Sequence, residues 1–199
     1  MICLLVSLVL VTLTGPATAT EIEPYRYGWF GCSNTWMTVD GYHRVSDANL
    51  LWPRYPTGGK SIEKWADNDF HGWDLFEENV VTYGIPIVVW VQVCESEERP
   101  VTTVEIRAAI ANVLTRVPSA VIYLSAINGY HPVDLCPTLG PDGNLDILQM
   151  VDEVVAEGYA LRGPDLGPLK KKQLAGSCHP NLPARDWMGE QLAVFFDVV

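Results

Sequence analysis

The sequence has little positive charge. Its 199 residues include 13 lysines and arginines against 24 aspartates and glutamates, for a formal net charge of -11, and its longest basic run is the three lysines at positions 170–172. Binding to nucleic acid or to an anionic membrane surface depends on clustered lysine and arginine side chains. We therefore expect neither nucleic acid nor a membrane surface as a partner.

The sequence also lacks an apolar run long enough to cross a bilayer, which takes roughly 20 residues. The apolar stretch at residues 2–13 is shorter and is followed by a small-residue pattern that ends at Ala19. This arrangement is typical of a secretory signal peptide, so we predict a signal peptide over residues 1–19 and a secreted mature domain over 20–199. No lysine or arginine precedes the apolar run, which leaves an uncleaved interfacial anchor or a misassigned start as alternatives.

Metal-binding patterns are missing as well. There is no Cys-x-x-Cys pair, and His43, His71 and His131 do not show the spacing of metal ligands. We predict no metal site. Four cysteines remain after the leader: Cys32, Cys94, Cys136 and Cys178. An even number in an oxidising compartment predicts one or two disulfides, with three possible full pairings among which the residues alone do not choose.

Apolar segments of strand length alternate with segments of helical period from residue 26 onward, which is typical of a single α/β domain with a parallel sheet. Strands are predicted at residues 26–30, 50–55, 86–93, 120–125 and 159–161. Pro53 makes the second of these irregular or an edge. Helices are predicted from Thr102 to Val117, at 145–157 and from about Pro183. The Gly- and Pro-rich stretch 128–144 is predicted to be a long surface loop that could carry function.

Three segments fall where ligands of parallel sheets bind, just beyond the carboxyl ends of strands. Ser33 follows the first strand and opens a helix, either as a helix cap or beside backbone N–H groups that can stabilise an oxyanion. Gly58 and Gly59 precede another helix, as a simple turn or as N–H donors to a ligand. His179 lies in a polar loop before the last helix, and an imidazole can deprotonate a serine hydroxyl.

Together these segments resemble, in order and spacing, the SGNH (GDSL-like) hydrolase family. Residues 31–33, Gly-Cys-Ser, resemble its first block, which places Ser33 as the nucleophile. Gly59 is similar to the second-block glycine whose N–H helps form the oxyanion hole, and residues 178–181 resemble the fifth block, with His179 as general base. The resemblance implies a single three-layer α/β/α domain with a parallel, flavodoxin-like five-stranded sheet.

The chain departs from the family pattern in three places. Gly176 stands where the family has the acid that orients the imidazole, and Cys32 replaces the aspartate of the first block. The third block has no clear copy: Gln92 is the nearest amide donor, whereas Asn128 follows a later strand. A backbone carbonyl or another carboxylate could take the place of the acid. The candidate carboxylates are Asp134, Asp165 and Asp186.

The resemblance also bears on the cysteines. In the strand order of this family Cys32 and Cys94 would be neighbours, and their pairing would leave Cys136 to pair with Cys178. That second bridge would hold the loop of His179 and partly replace the missing acid as an orienting device. The alternative is a free Cys32 that serves as a nucleophile beside His179.

These observations predict a secreted, monomeric serine esterase that acts on a small-molecule or glycan ester. Ser33 attacks, His179 transfers the proton, and the oxyanion is bound by the N–H groups of Ser33 and Gly59, with Gln92 as a third donor. No cofactor is expected. The alternative is a catalytically inactive carbohydrate-binding module of the same fold, in which some of the seven tryptophans grip a glycan rather than fill the core.

Overall fold

A computed structural model of the chain describes residues 24–53, 60–96, 99–139 and 142–197. The predicted signal peptide and Gly58 and Gly59 lie outside this part. The strands in it are β1 (Tyr27–Phe30), β2 (Val88–Val93), β3 (Val121–Ala126), β4 (Tyr130–His131), β5 (Leu161–Arg162) and β6 (Leu169–Lys170). The helices are α1 (Ser33–Val45), α2 (Ile62–Ala66), α3 (Gly72–Tyr83), α4 (Thr103–Arg116), α5 (Leu145–Ala156) and α6 (Leu182–Phe196).

The main sheet is parallel and has the strand order β1-β2-β3-β5. All six residues of β2 are buried, as the continuous apolar run predicts for a strand covered on both faces. Helix α4 begins after Thr102, whose side chain accepts the Glu105 N–H in the predicted capping box. The α/β class with a parallel sheet is therefore confirmed.

Among the described residues the main sheet has four strands, so the predicted five-stranded sheet is not confirmed. Leu51, from the predicted second strand, makes only a single parallel bridge to Tyr27 at the free edge of β1. The Trp52 carbonyl, which a longer ladder would pair with the backbone of β1, accepts the indole N–H of Trp29 at 2.9 Å, and the described residues do not extend the pairing beyond this bridge. The last predicted strand is also short and shifted, because β5 comprises only Leu161–Arg162.

Large aromatic side chains pack on opposite faces of the sheet. The rings of Tyr27 and Trp90 contact Phe196 of α6, with centroids 5.7 and 6.4 Å apart. Phe30, three residues after Tyr27, projects to the other face, where its ring lies 4.8 Å from that of Trp65 in α2. Side chains alternate along a strand, so this one strand anchors helices on both faces of the sheet.

Helices α1 and α6 pack against each other with almost no space between their backbones. A Cβ at Gly41 would overlap the backbone of Arg185, and one at Gly189 would overlap the backbone of Gly41. Glycine at both positions therefore permits the close approach. This packing holds together two helices that begin near the candidate residues, because α1 begins at Ser33 and α6 begins three residues after His179.

The described residues of the predicted surface loop 128–144 include a short strand and buried side chains. Its residues 130–131 form β4, which pairs in parallel with β6, and Tyr130, Cys136 and Leu139 are buried. Local composition does not reveal this pairing, since β6 lies about forty residues further along the chain. No helix in the described ranges is long and apolar enough to cross a membrane.

Candidate active site

Ser33 and His179 meet at the carboxyl edge of the sheet. Ser33 is the first residue of α1, and His179 lies in the exposed loop before α6. The Ser33 Oγ lies 2.8 Å from His179 Nε2, across 146 residues of sequence. This is the distance of a hydrogen bond between the hydroxyl and the imidazole, as required for direct proton transfer.

The turn before Ser33 requires glycine. Gly31 has a φ of 156°, and a Cβ there would overlap Thr35 Oγ1 and lie 2.8 Å from the Gln92 carbonyl oxygen. The next residue, Cys32, is extended and forms a disulfide with Cys94 at the end of β2, with a Cα–Cα distance of 6.0 Å. The turn and the disulfide together fix the start of α1 against the edge of the sheet.

The start of α1 presents backbone donors. The first N–H groups of a helix have no partner within the helix, and within the described residues no acceptor is bonded to the N–H of Ser33. The N-terminal end of the helix dipole is also favourable for negative charge. The N–H of Ser33 is therefore available to an oxyanion that forms beside its own hydroxyl.

Backbone hydrogen bonds and a disulfide hold the His179 loop. The His179 carbonyl accepts the N–H of Ala175 at 2.7 Å, and Asn181 caps α6 by accepting the Ala184 N–H. Cys178 forms a disulfide with Cys136, with a Cα–Cα distance of 4.7 Å. Both disulfides that the family resemblance implies are therefore present, and Cys32 is not a free thiol beside His179.

Gln92, predicted as a third oxyanion donor, has its side-chain amide inside the protein. The side chain is fully buried; its Oε1 accepts from Thr35 Oγ1 at 2.8 Å and its Nε2 donates to the Ala126 carbonyl at 3.5 Å. Thr35 Oγ1 in turn accepts the N–H of Cys32 at 2.8 Å. Gln92 thus supports the first turn of α1 from inside the protein, because it projects from a strand that is covered on both faces.

The predicted donor Gly59 lies outside the described residues, but its successor is well placed. Lys60 donates its backbone N–H to the carbonyl of Gly31 at 2.9 Å, and Ile62 donates to the carbonyl of Cys94 at 2.9 Å. The indole of Trp65 also donates to the Gly31 carbonyl, at 3.2 Å. The segment that follows Gly59 is therefore attached to the same turn that carries Ser33.

None of the three candidate carboxylates is hydrogen-bonded to His179 in the described part of the chain. Asp186 is ion-paired with Arg44 at 2.6 Å, and Asp165 with Arg162 at 2.7 Å. Asp134 lies in a short 3-10 turn after β4 and makes no hydrogen bond to the imidazole. In the described residues the site therefore contains a serine-histidine pair with no aspartate hydrogen-bonded to the histidine.

Sequence reasoning missed two residues that link the halves of this site. Tyr130 is 3% exposed; its hydroxyl donates to the Cys178 carbonyl at 2.7 Å and accepts from Asn34 Nδ2 at 3.0 Å. Burial raises the pKa of the Tyr130 phenol, so the hydroxyl keeps its proton at neutral pH. The only signals for these residues were the position of Asn34 directly after Ser33 and of Tyr130 in the loop predicted to carry function.

Most of the tryptophans are core residues. Trp52, Trp73 and Trp90 are at most 1% exposed and Trp65 is 5% exposed. Trp36, one turn after Ser33 on α1, is half-buried, with the Arg185 guanidinium 5.3 Å from its ring centroid. Trp36 is therefore a partly exposed tryptophan close to Ser33.

The chain matches no known protein-family model, no curated protein and no solved structure. In the described residues no group of three or more His, Cys, Asp or Glu side chains is arranged to hold a metal ion. The chemical interpretation of the site therefore rests on its geometry.

Proposed function

We propose that the protein is a secreted serine esterase of the SGNH type that hydrolyses carboxylic esters of a small molecule or a glycan. The observation that carries this proposal is the 2.8 Å contact between Ser33 Oγ and His179 Nε2 at a helix N-terminus. Two disulfides next to these residues, Cys32–Cys94 and Cys136–Cys178, are consistent with a protein that works outside the cytoplasm.

The reaction proceeds through an acyl-enzyme. Ser33 Oγ attacks the ester carbonyl carbon while His179 Nε2 takes the hydroxyl proton, and the carbonyl electron pair moves to the oxygen. The N–H of Ser33 stabilises this oxyanion, and the family resemblance assigns the second donor to Gly59. Collapse breaks the ester C–O bond, and His179 returns the proton to the alcohol. Water then repeats the sequence and releases the acid.

The imidazole works here without an aspartate hydrogen-bonded to it in the described residues. In a triad that residue orients the ring and stabilises its charged form. The Cys136–Cys178 disulfide and the backbone bond to Ala175 supply orientation but no negative charge. We therefore expect slower turnover than that of a complete triad, because nothing in the described residues stabilises the charged imidazole as an aspartate would.

The first prediction concerns this pair directly. Ser33→Ala and His179→Ala should each lower the hydrolysis of p-nitrophenyl butyrate by at least about 10³-fold, because the nucleophile and its base act as a unit. A stopped or continuous colorimetric assay of p-nitrophenolate release measures these hydrolysis rates. Ser119→Ala and His71→Ala, which change an exposed serine and an exposed histidine elsewhere, should retain wild-type rates. Equal rates in all five proteins, or no wild-type turnover, would refute the proposal.

One observation favours a second candidate, a glycan-binding module. Trp36 is partly exposed one turn from Ser33, and aromatic side chains stack on sugar rings. Calorimetric titration with neutral oligosaccharides decides between the two. Binding that survives Ser33→Ala but is lost in Trp36→Ala, in a protein without ester turnover, would establish the binding module.

A further inference from the structure

A buried tyrosine joins the residue after the nucleophile to the residue before the base. Asn34 directly follows Ser33, and Cys178 directly precedes His179. Tyr130 Oη accepts a hydrogen bond from Asn34 Nδ2 at 3.0 Å and donates one to the Cys178 carbonyl at 2.7 Å. Two consecutive hydrogen bonds therefore connect the backbone segments that carry the reacting groups.

The chain attaches this bridge firmly. Tyr130 begins β4, which pairs with β6, and the following loop supplies Cys136 for the disulfide to Cys178. One segment thus holds Cys178 twice, by a hydrogen bond to its carbonyl and by a covalent bond to its sulfur. Asn34 is 2% exposed, so its amide cannot exchange Tyr130 for bulk water without a cost in free energy.

We propose that Tyr130, together with Asn34, is a positioning residue of the site, which holds the His179 loop at hydrogen-bond distance from Ser33. A triad aspartate orients the imidazole through a hydrogen bond to the ring. Tyr130 supplies part of this orientation through a hydrogen bond to the backbone of the loop. This inference rests on the proposed esterase function. It also identifies a tyrosine, rather than a carboxylate, as the group that supports the imidazole loop.

The alternative is that Tyr130 only stabilises the fold. Tyr42 distinguishes the two because it is a matched buried tyrosine: its hydroxyl donates to Asp197 at 2.7 Å and accepts the Leu50 N–H at 2.9 Å, away from Ser33. Each hydroxyl makes one donated and one accepted hydrogen bond. Tyr130→Phe and Tyr42→Phe should therefore lower the unfolding midpoint by similar amounts.

The two variants should differ in turnover. Tyr130→Phe should lower kcat for p-nitrophenyl butyrate by about ten- to a hundredfold with little change in KM, because small displacements of reacting groups have large effects on rate. Tyr42→Phe should keep the wild-type kcat. Asn34→Ala combined with Tyr130→Phe should lose no more than Tyr130→Phe alone, since both act through one bridge.

A second measurement does not need activity. The ring ¹⁵N chemical shifts of His179 report its hydrogen bond to Ser33, with Ser33→Ala as the reference for its loss. They should move toward that reference in Tyr130→Phe and remain unchanged in Tyr42→Phe. Unchanged shifts, or an unchanged kcat, in Tyr130→Phe would overturn the positioning role. If the wild-type protein has no ester turnover but the His179 shifts still change in Tyr130→Phe, the esterase proposal is refuted. The role of Tyr130 in holding the His179 loop is then retained.

Discussion

Thr35 connects the buried interior to the start of the helix that carries the candidate nucleophile. Its hydroxyl accepts the Cys32 N–H and donates to Gln92 Oε1, both at 2.8 Å, and the Thr35 and Gln92 side chains are fully buried. A buried hydroxyl with both functions satisfied fixes the rotamers of its neighbours. The role of Gln92 in the protein is therefore to support the turn that precedes Ser33.

Replacement of Thr35 by valine keeps the shape and removes the hydroxyl. Thr35→Val should lower the free energy of unfolding by about 1–3 kcal/mol, because the Cys32 N–H and Gln92 Oε1 are left buried without partners. Urea unfolding followed by circular dichroism measures this. Thr115→Val is the control: that hydroxyl bonds the Asn112 carbonyl on an exposed face of α4 and its loss should cost much less. Equal losses in both variants would contradict the role of Thr35.

At the scale of elements, the packing of α1 against α6 positions Ser33 and the His179 loop relative to each other. The two helices pack backbone to backbone at Gly41 and Gly189. Asp40 of α1 forms an ion pair with Arg185 of α6, with 3.3 Å between Oδ2 and Nη1. Asp40 is also paired with Arg44 at 2.7 Å. Burial by itself would raise the pKa of Asp40, but the hydrogen bonds and charges of Arg44 and Arg185 outweigh it and hold that pKa below the ordinary value.

This lowered pKa predicts an acid-dependent contribution to the packing of α1 on α6. A carboxyl whose pKa is lowered on folding stabilises the folded state above its unfolded pKa, 3.8, and loses that contribution as the pH falls through its folded pKa. Asp40→Asn should therefore lower the free energy of unfolding by on the order of 1 kcal/mol at pH 7. The difference from wild type should shrink below pH 3.8.

Urea unfolding at a series of pH values tests this. Asp152→Asn is the control, since Asp152 pairs with Arg162 with most of its side chain exposed, and its effect should be a few tenths of a kcal/mol at most. A constant difference between Asp40→Asn and wild type down to pH 2 would show that Asp40 does not titrate as the ion pairs require.

At the scale of the whole molecule, two disulfides connect distant segments around one site. Cys32 and Cys94 are 62 residues apart in sequence, and Cys136 and Cys178 are 42 apart. Closing such long loops removes conformational entropy mainly from the unfolded chain. One bridge joins the ends of β1 and β2, and the other joins the β4 loop to the loop of His179.

Loss of the second bridge should affect stability and turnover together. Cys136→Ala combined with Cys178→Ala should lower the free energy of unfolding by about 2–4 kcal/mol and reduce ester turnover, because the His179 loop then depends on hydrogen bonds alone. The variant retains the bridge between Cys32 and Cys94, so a reductant should destabilise it further. A double variant as stable and as active as wild type would show that this bridge neither stabilises the fold nor positions the loop.

Local patterns in the sequence predicted the elements whose own residues indicate the type of element and where it begins. The continuous apolar run at 86–93 contains β2, and the capping box at Thr102 marks the start of α4. Where pairing depends on distant residues, the patterns were insufficient. The described residues 50–53 of the predicted second strand make only a single bridge, at Leu51, and β4 is stabilised by a partner about forty residues away.

The sequence by itself determined the α/β class and the candidate residues Ser33 and His179, because strand ends and helix starts are local features that identify which side chains reach the edge of a parallel sheet. Only the tertiary structure decided that Gln92 is turned into the core and that Tyr130 bridges Asn34 to Cys178. The physical reason is that hydrogen-bond partners are chosen by position in space, and the chain brings Tyr130 between two segments that are each about fifty or more residues from it.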